Sequence, residues 1–143
     1  MKQELDQEKY HELACYTLAH SDPNFIHQHI VDAFHAQHAS ENMKPITIVF
    51  SLIGLYLYLE QGYSGREIQQ VHTRLAKHKK KWIQFELPNF SGTITVSEVL
   101  AAPAGYKRDD MIRNWCQSVW DAWEANHPQI RDLVKANLAE FQE

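Results

Sequence analysis

The chain has 143 residues, 44% apolar and 22% charged, with ten glycines and prolines together and a formal net charge of -4. That length supports one hydrophobic core and one domain over residues 1–143, and the composition excludes a disordered or collagen-like chain. The negative balance argues against a protein that coats nucleic acid, and Cys15 and Cys116 make no disulfide framework.

Residues 1–9 are polar and lack the basic start and apolar stretch of a signal peptide. A first helix is expected over Gln7–His20, where Tyr10, Leu13, Ala14, Thr17 and Leu18 recur at helical spacing. Asp22 suits an N-cap and Pro23 the first helical position, so a second helix should start there and run to about Ala39. Lys44-Pro45 opens a third, ending near Gln61-Gly62. Its Ile46–Leu59 stretch is the most apolar of the chain but spans only about 21 Å as a helix, against roughly 30 Å of hydrocarbon in a bilayer. A buried central helix is expected, and no membrane span. Ser64 and Glu67 have capping-box spacing and open a fourth helix through Ile68, Val71, Leu75 and Ala76, closed by the basic run Lys77–Lys81.

Pro88, Asn89, Ser91 and Gly92 mark a loop. Thr95 and Glu98 repeat the capping-box spacing and predict a short helix to Ala102; the alternation over Thr93–Val99 leaves a strand as the lesser alternative. A tryptophan-rich helix follows over Asp109–Ala125, with Trp115, Trp120 and Trp123. Pro128 starts the last, with Ile130, Leu133, Val134, Leu138 and Phe141 on one face. The fold class is therefore all-α, a single-domain bundle of about six helices around the central hydrophobic one, cytoplasmic and with reduced thiols.

Nine histidines are present, six of them within the first 38 residues. At 100° per residue, with His27 at the origin, Ile30, Val31, Phe34 and His38 all fall within about 60° of it. His27 and His38 thus sit in an apolar stripe, and His72 does so beside Ile68 and Leu75. Two readings follow. The imidazoles are hydrogen-bonded core residues, or they line a polar pocket or bind a metal through neutral nitrogen. Either way burial should depress their pKa values, so stability should fall as pH drops below about 6.5, whereas His78 and His127 should lie at the surface.

Spacing limits the metal reading. No two histidines are four apart, so no H-x-x-x-H or H-E-x-x-H motif exists. The three-apart pairs His29–Asp32, Asp32–His35 and His35–His38 read as a solvated face. A metal such as zinc would need a set made across helices, His20, His27 and His72, and a small polar ligand would add Tyr16, Asp32 and Tyr56. Cys15 after His11 reads as packing, and Ser64-Gly65-Arg66 as capping. No phosphate loop, dinucleotide fingerprint or serine-nucleophile elbow is present.

Tyr16–His20 with Phe25–Ala33, then Lys44-Pro45-Ile46, Gly54-Leu55-Tyr56, Ser64-Gly65-Arg66 and Trp115-Cys116 with Val119-Trp120, resemble an uncharacterised bacterial family whose domain has no known function. The resemblance covers nearly the whole chain and brings no catalytic residue. Likeness to the metal-dependent DinB-like bundles is architectural only, because the H-x-x-x-H pair of their histidine triad is missing. Two functions remain open: a histidine-lined pocket for a small polar molecule or divalent metal, or an interaction module whose tryptophan-rich helix supports a homodimer.

Overall fold

The computed structural model describes residues 2–19, 22–78 and 81–138. Among them are seven α-helices: α1 (Lys2–Ala19), α2 (His27–Gln37), α3 (Pro45–Leu59), α4 (Gly65–Leu75), α5 (Val96–Ala101), α6 (Tyr106–Ala122) and α7 (His127–Leu138). The short segment after Thr95 is helix, not strand, and Thr95 caps it without a side-chain hydrogen bond. The capping box at Ser64 forms in full, with Glu67 N–H on Ser64 Oγ and Ser64 N–H on Glu67 Oε1. Of the basic run, Lys79 and Lys80 lie outside the described residues, as does Phe141.

The central apolar helix is α3, with Ile48, Val49, Leu52, Ile53, Leu55 and Leu57 buried. It pairs with α2 across the short connection 38–44, and α4, α6 and α7 pack on it from other sides. α1 lies on α2 and α5, held by Lys9 Nζ on Ser97 Oγ at 3.0 Å. Among the described residues no helix is long and apolar enough to cross a membrane.

The second helix starts four residues later than expected. Asp22 caps a turn instead: its carboxylate takes the N–H of Asn24 and of Ile26 at 2.9 and 2.6 Å, and its carbonyl takes that of Phe25. Phe25 then turns left-handed at φ 57°, which releases the chain into α2 at a new angle. Its carbonyl sits where a side chain at residue 65 would be, so Gly65 is required at the start of α4.

The tryptophans do not form an outer edge. Trp115, Trp120 and Trp123 are all buried, with their indole N–H groups on Gln37 Oε1, Glu60 Oε2 and the Ala36 carbonyl. The aromatic anchors of the expected dimer surface thus face the core. His127 is also inside, stacked on Trp120 at 3.8 Å with Nε2 donating to the Trp120 carbonyl.

The largest departure is the phase of α2. Its buried residues are His29, Ile30, Asp32, Ala33 and Ala36. His29, Ala33 and Ala36 lie about 120–180° away from His27 around the helix, opposite the stripe of large apolar residues. Ala33 and Ala36 carry little hydrophobic weight, yet their size lets α3 and α6 approach closely. Gly54 does the same from α3, since a Cβ there would fall 2.6 Å from Asp32 Cγ and closer still to Oδ2. The expected solvated face of α2 is therefore its most enclosed one.

Gly54→Ala should cost at least about 2 kcal/mol in chemical denaturation, because a methyl group and a carboxyl cannot share the space. In an Asp32→Ala background the same change should cost less than about 1 kcal/mol, giving a coupling above experimental error. Equal costs in both backgrounds would disprove the contact.

Candidate functional site

Asp32 projects from α2 between α3 and α4 and is only 2% exposed. It forms part of the wall of a pocket of about 240 Å3, together with Gln28, His35, Thr47, Ser51 and His72. The hydrogen bonds there have a direction. His72 Nε2 lies 2.8 Å from the Phe50 carbonyl, which can only accept, so Nε2 carries the proton. The lone pair of Nδ1 then faces the Gln28 amide nitrogen at 3.4 Å. That nitrogen also donates to Asp32 Oδ1 at 3.1 Å. Gln28 thus bridges the imidazole and the carboxyl with its two N–H bonds. Asp32 Oδ2 is left with no partner.

Burial pushes the Asp32 carboxyl well above the usual carboxylate range, opposed by the Gln28 hydrogen bond. Burial lowers His72 to about 4, opposed by its bond to Phe50. His35, at the pocket's other end, is lowered by burial and by the neighbouring His38. Carboxylic acid and neutral imidazole are the forms these environments favour, which places a proton donor and a proton acceptor around one small space.

A second opening lies toward the start of α2. It is a cleft of about 710 Å3 between the turn at Asp22–Ile26, the end of α3 and the start of α4. His29 lines it, 5% exposed, its ring stacked on Tyr58 at 3.5 Å. Its Nδ1 is buried without a hydrogen-bond partner. Burial lowers His29 to about 4, with Asp22 acting against that shift and Arg113 adding to it.

The residues expected to form one site are distributed. Asp32 and His72 meet through Gln28, as described. Tyr16 lines the cleft and ties α1 to α6: its hydroxyl takes the Gly105 N–H at 2.9 Å and lies 3.0 Å from Asp109 Oδ1. His27 is on the α1 side, Nδ1 2.9 Å from Thr17 Oγ1, and burial lowers its pKa. Tyr56 takes a hydrogen bond from Gln61 and lies near Trp120, away from both openings. His38 is not sealed in the core, since Nε2 meets Asp6 at 3.2 Å with both side chains partly exposed. His20 lies outside the described residues. Among the described residues no group of three or more His, Cys, Asp or Glu side chains is placed to hold a metal ion. The spacing analysis did not single out Gln28 or Tyr58 and gave His29 to the solvent. Gln28 and Asp32, four apart on one helix, carried a usable signal, as did Gly54 inside an apolar helix.

Both buried histidines have folded pKa values below their unfolded ones. The unfolded chain then binds more protons between about pH 6.5 and 4, and stability should fall as pH drops through that window. His29 and His72, both lowered to about 4, each contribute on the order of 3 kcal/mol across it. Asp32 acts in the opposite sense. Its raised folded pKa makes stability fall as pH rises above the unfolded value, by about 1.4 kcal/mol per pH unit while the folded acid stays protonated. Denaturant midpoints from pH 4 to 7 should therefore rise for the wild type and rise more steeply for Asp32→Asn. Parallel profiles would show that Asp32 is ionised or solvated in the native state.

No curated protein and no solved structure matches the chain. A family model matches residues 7–124, a span that holds both openings and ends just before α7. The chain belongs to that family, the family of unknown function DUF5946.

Proposed function

We propose that the chain binds a small polar molecule in the pocket between α2, α3 and α4. The observation that supports this reading is Asp32, which lines the pocket yet is only 2% exposed and has one carboxyl oxygen, Oδ2, packed toward Gly54 without a hydrogen-bond partner. An unsatisfied buried polar group costs roughly 1–3 kcal/mol, more if charged. α3 gives up a side chain at Gly54 to make room for it. A stability cost of that kind calls for an explanation, and a ligand bonded to the Asp32 carboxyl supplies one.

The volume, about 240 Å3, is below the roughly 300–1,000 Å3 of sites for drug-sized molecules, so the ligand is a compact metabolite. Its polar contacts would be the Asp32 carboxyl, Ser51 Oγ and the ring of His35; Gln28 and His72 would hold Asp32 in place. A metal-dependent version of this site has no support in the arrangement of donors. Self-association through α6 has lost its exposed tryptophans.

A fragment panel of acetate, acetamide, glycinamide and methylguanidine, followed by 1H–15N NMR, tests the reading. At least one fragment should shift the amides of Gln28, Asp32, Ser51 and His72 with a saturable dependence. Asp32→Asn should lose that response while remaining at least as stable as the wild type at pH 7. Absence of any localised shift at about 10 mM, roughly the weak limit for a fragment site, would sink the reading, as would unchanged binding by Asp32→Asn.

A further inference from the structure

A groove of about 750 Å3 runs between the start of α3 and the segment that follows α4. Lys44, Pro45 and Ile46 form one wall, and residues 81–84 form the other. Aromatic residues anchor the second wall. Trp82 is buried with its ring T-shaped against Phe50 of α3, 5.3 Å between centroids and at 85°, and Phe85 is buried three residues on. Between these anchors Ile83 is left 42% exposed. It shares the groove with Pro45, Ile46 and Trp82, so it is part of a continuous apolar surface and not a lone surface residue.

The charge on this surface has one sign. Lys44 and Lys81 come from opposite walls, and no carboxylate lines the groove. Glu41 and Glu86, the nearest acids along the two segments, both lie outside it. Among the described residues neither lysine is in an ion pair. Lys44 makes no side-chain hydrogen bond at the N-cap of α3, and the first turn of that helix holds no acidic residue. The groove is thus an apolar floor between two uncompensated cations, on a chain whose formal net charge is -4.

We propose that this groove binds an organic carboxylate with an apolar or aromatic body. The body lies on Pro45, Ile46, Trp82 and Ile83, and the carboxylate reaches the two ammonium groups. The volume falls within the roughly 300–1,000 Å3 of small-molecule sites. Charge complementarity chooses this occupant over the others. A cation of the same shape meets two like charges and finds no acid to pair with. A neutral apolar molecule gains the burial and forgoes both lysines. A small anion without a body has only exposed ion pairs, which hold little by themselves.

4-Phenylbutyrate is the probe, with 4-phenylbutylamine and 4-phenylbutanol as the cation and the neutral molecule of the same body, and acetate as the bare carboxylate. In 1H–15N NMR titrations at neutral pH, 4-phenylbutyrate should shift the amides of Ile46, Lys81 and Ile83 and the indole N–H of Trp82 saturably. The amine and acetate should not, and the alcohol should bind at least about threefold more weakly. Lys44→Gln combined with Lys81→Gln should weaken 4-phenylbutyrate at least about fivefold, and the pair Lys44→Arg, Lys81→Arg should retain it. Ile83→Ser should weaken it at least about threefold. All three positions are exposed, so the fold is not at stake. Asp32→Asn, which alters the pocket between α2, α3 and α4, should leave 4-phenylbutyrate binding unchanged. Equal affinity for the amine or the alcohol, full affinity in the double glutamine variant, loss in Asp32→Asn, or no localised shift at about 10 mM would each overturn the proposal. Binding to anionic vesicles without any response to 4-phenylbutyrate would assign the face to a membrane surface and overturn it likewise.

Discussion

The close contact between the Asp32 carboxyl and Gly54 sets the geometry of the bundle's centre. α2 can bury its polar face against α3 only because one residue of α3 has no side chain. From that contact the antiparallel register follows. Asp32 faces residue 54, His29 falls beside Tyr58, and His35 reaches the pocket end formed by Ile46 and Thr47. Ala33 and Ala36 extend the close approach, and α6 closes it with Cys116, whose thiol donates to the His29 carbonyl at 3.6 Å. Burial pushes that thiol far up its scale, with Asp32 adding to the shift, so Cys116 is an inert packing group beside the polar residues.

Much of the fold was legible because it rests on local signals. Pro45, the apolar run after it and the Ser64–Glu67 box each act within one or two turns, and α3 and α4 start where those residues indicate. The phase of α2 was not legible by the same reasoning. A wheel weighted by hydrophobicity follows Ile30, Val31 and Phe34, but an inter-helix contact at short distance selects small residues, and only knowledge of the partner helix reveals that. The error carried through to the site. His29 and Asp32 were placed toward water and Tyr56 toward the site, whereas Tyr58, two residues further and on another face of α3, is the one that meets His29. Asp32 and His72, both singled out from the sequence, do line one pocket, because an acid within an amphipathic helix and a histidine between Ile68 and Leu75 stand out whatever the exact phase.

The scaffold that supports this polar centre is aromatic. Trp115 and Trp120 of α6 and Trp123 at its C-cap are buried, and each indole N–H has an acceptor on a different part of the α2–α3 frame. Trp120 reaches Glu60 at the end of α3, and Arg131 of α7 holds the same carboxylate through both oxygens at 3.0 and 3.1 Å. Satisfied indoles add both apolar burial and direction, which fixes α6 and α7 against α3. Their role is structural in this chain. The unsatisfied polar atoms, His29 Nδ1 and Asp32 Oδ2, belong to α2.

Both openings share α2 as a wall but are built differently around it. The pocket at Asp32 is bounded by three helices, so its side chains are held by regular backbone on every side, the arrangement that positions groups most accurately. The cleft at His29 depends on the turn at Asp22–Ile26, which includes the left-handed Phe25. A non-glycine residue in that conformation costs on the order of 1 kcal/mol and persists only where its surroundings impose it. Here α4 does so. Arg66 N–H donates to the Asn24 carbonyl at 3.0 Å, Arg66 Nε–H donates to the Pro23 carbonyl at 3.1 Å, and Gly65 leaves room for the Phe25 carbonyl. The Ser64-Gly65-Arg66 segment, which by itself reads as ordinary capping, is therefore the clasp that keeps the turn in place, and through the turn it sets the mouth of the cleft.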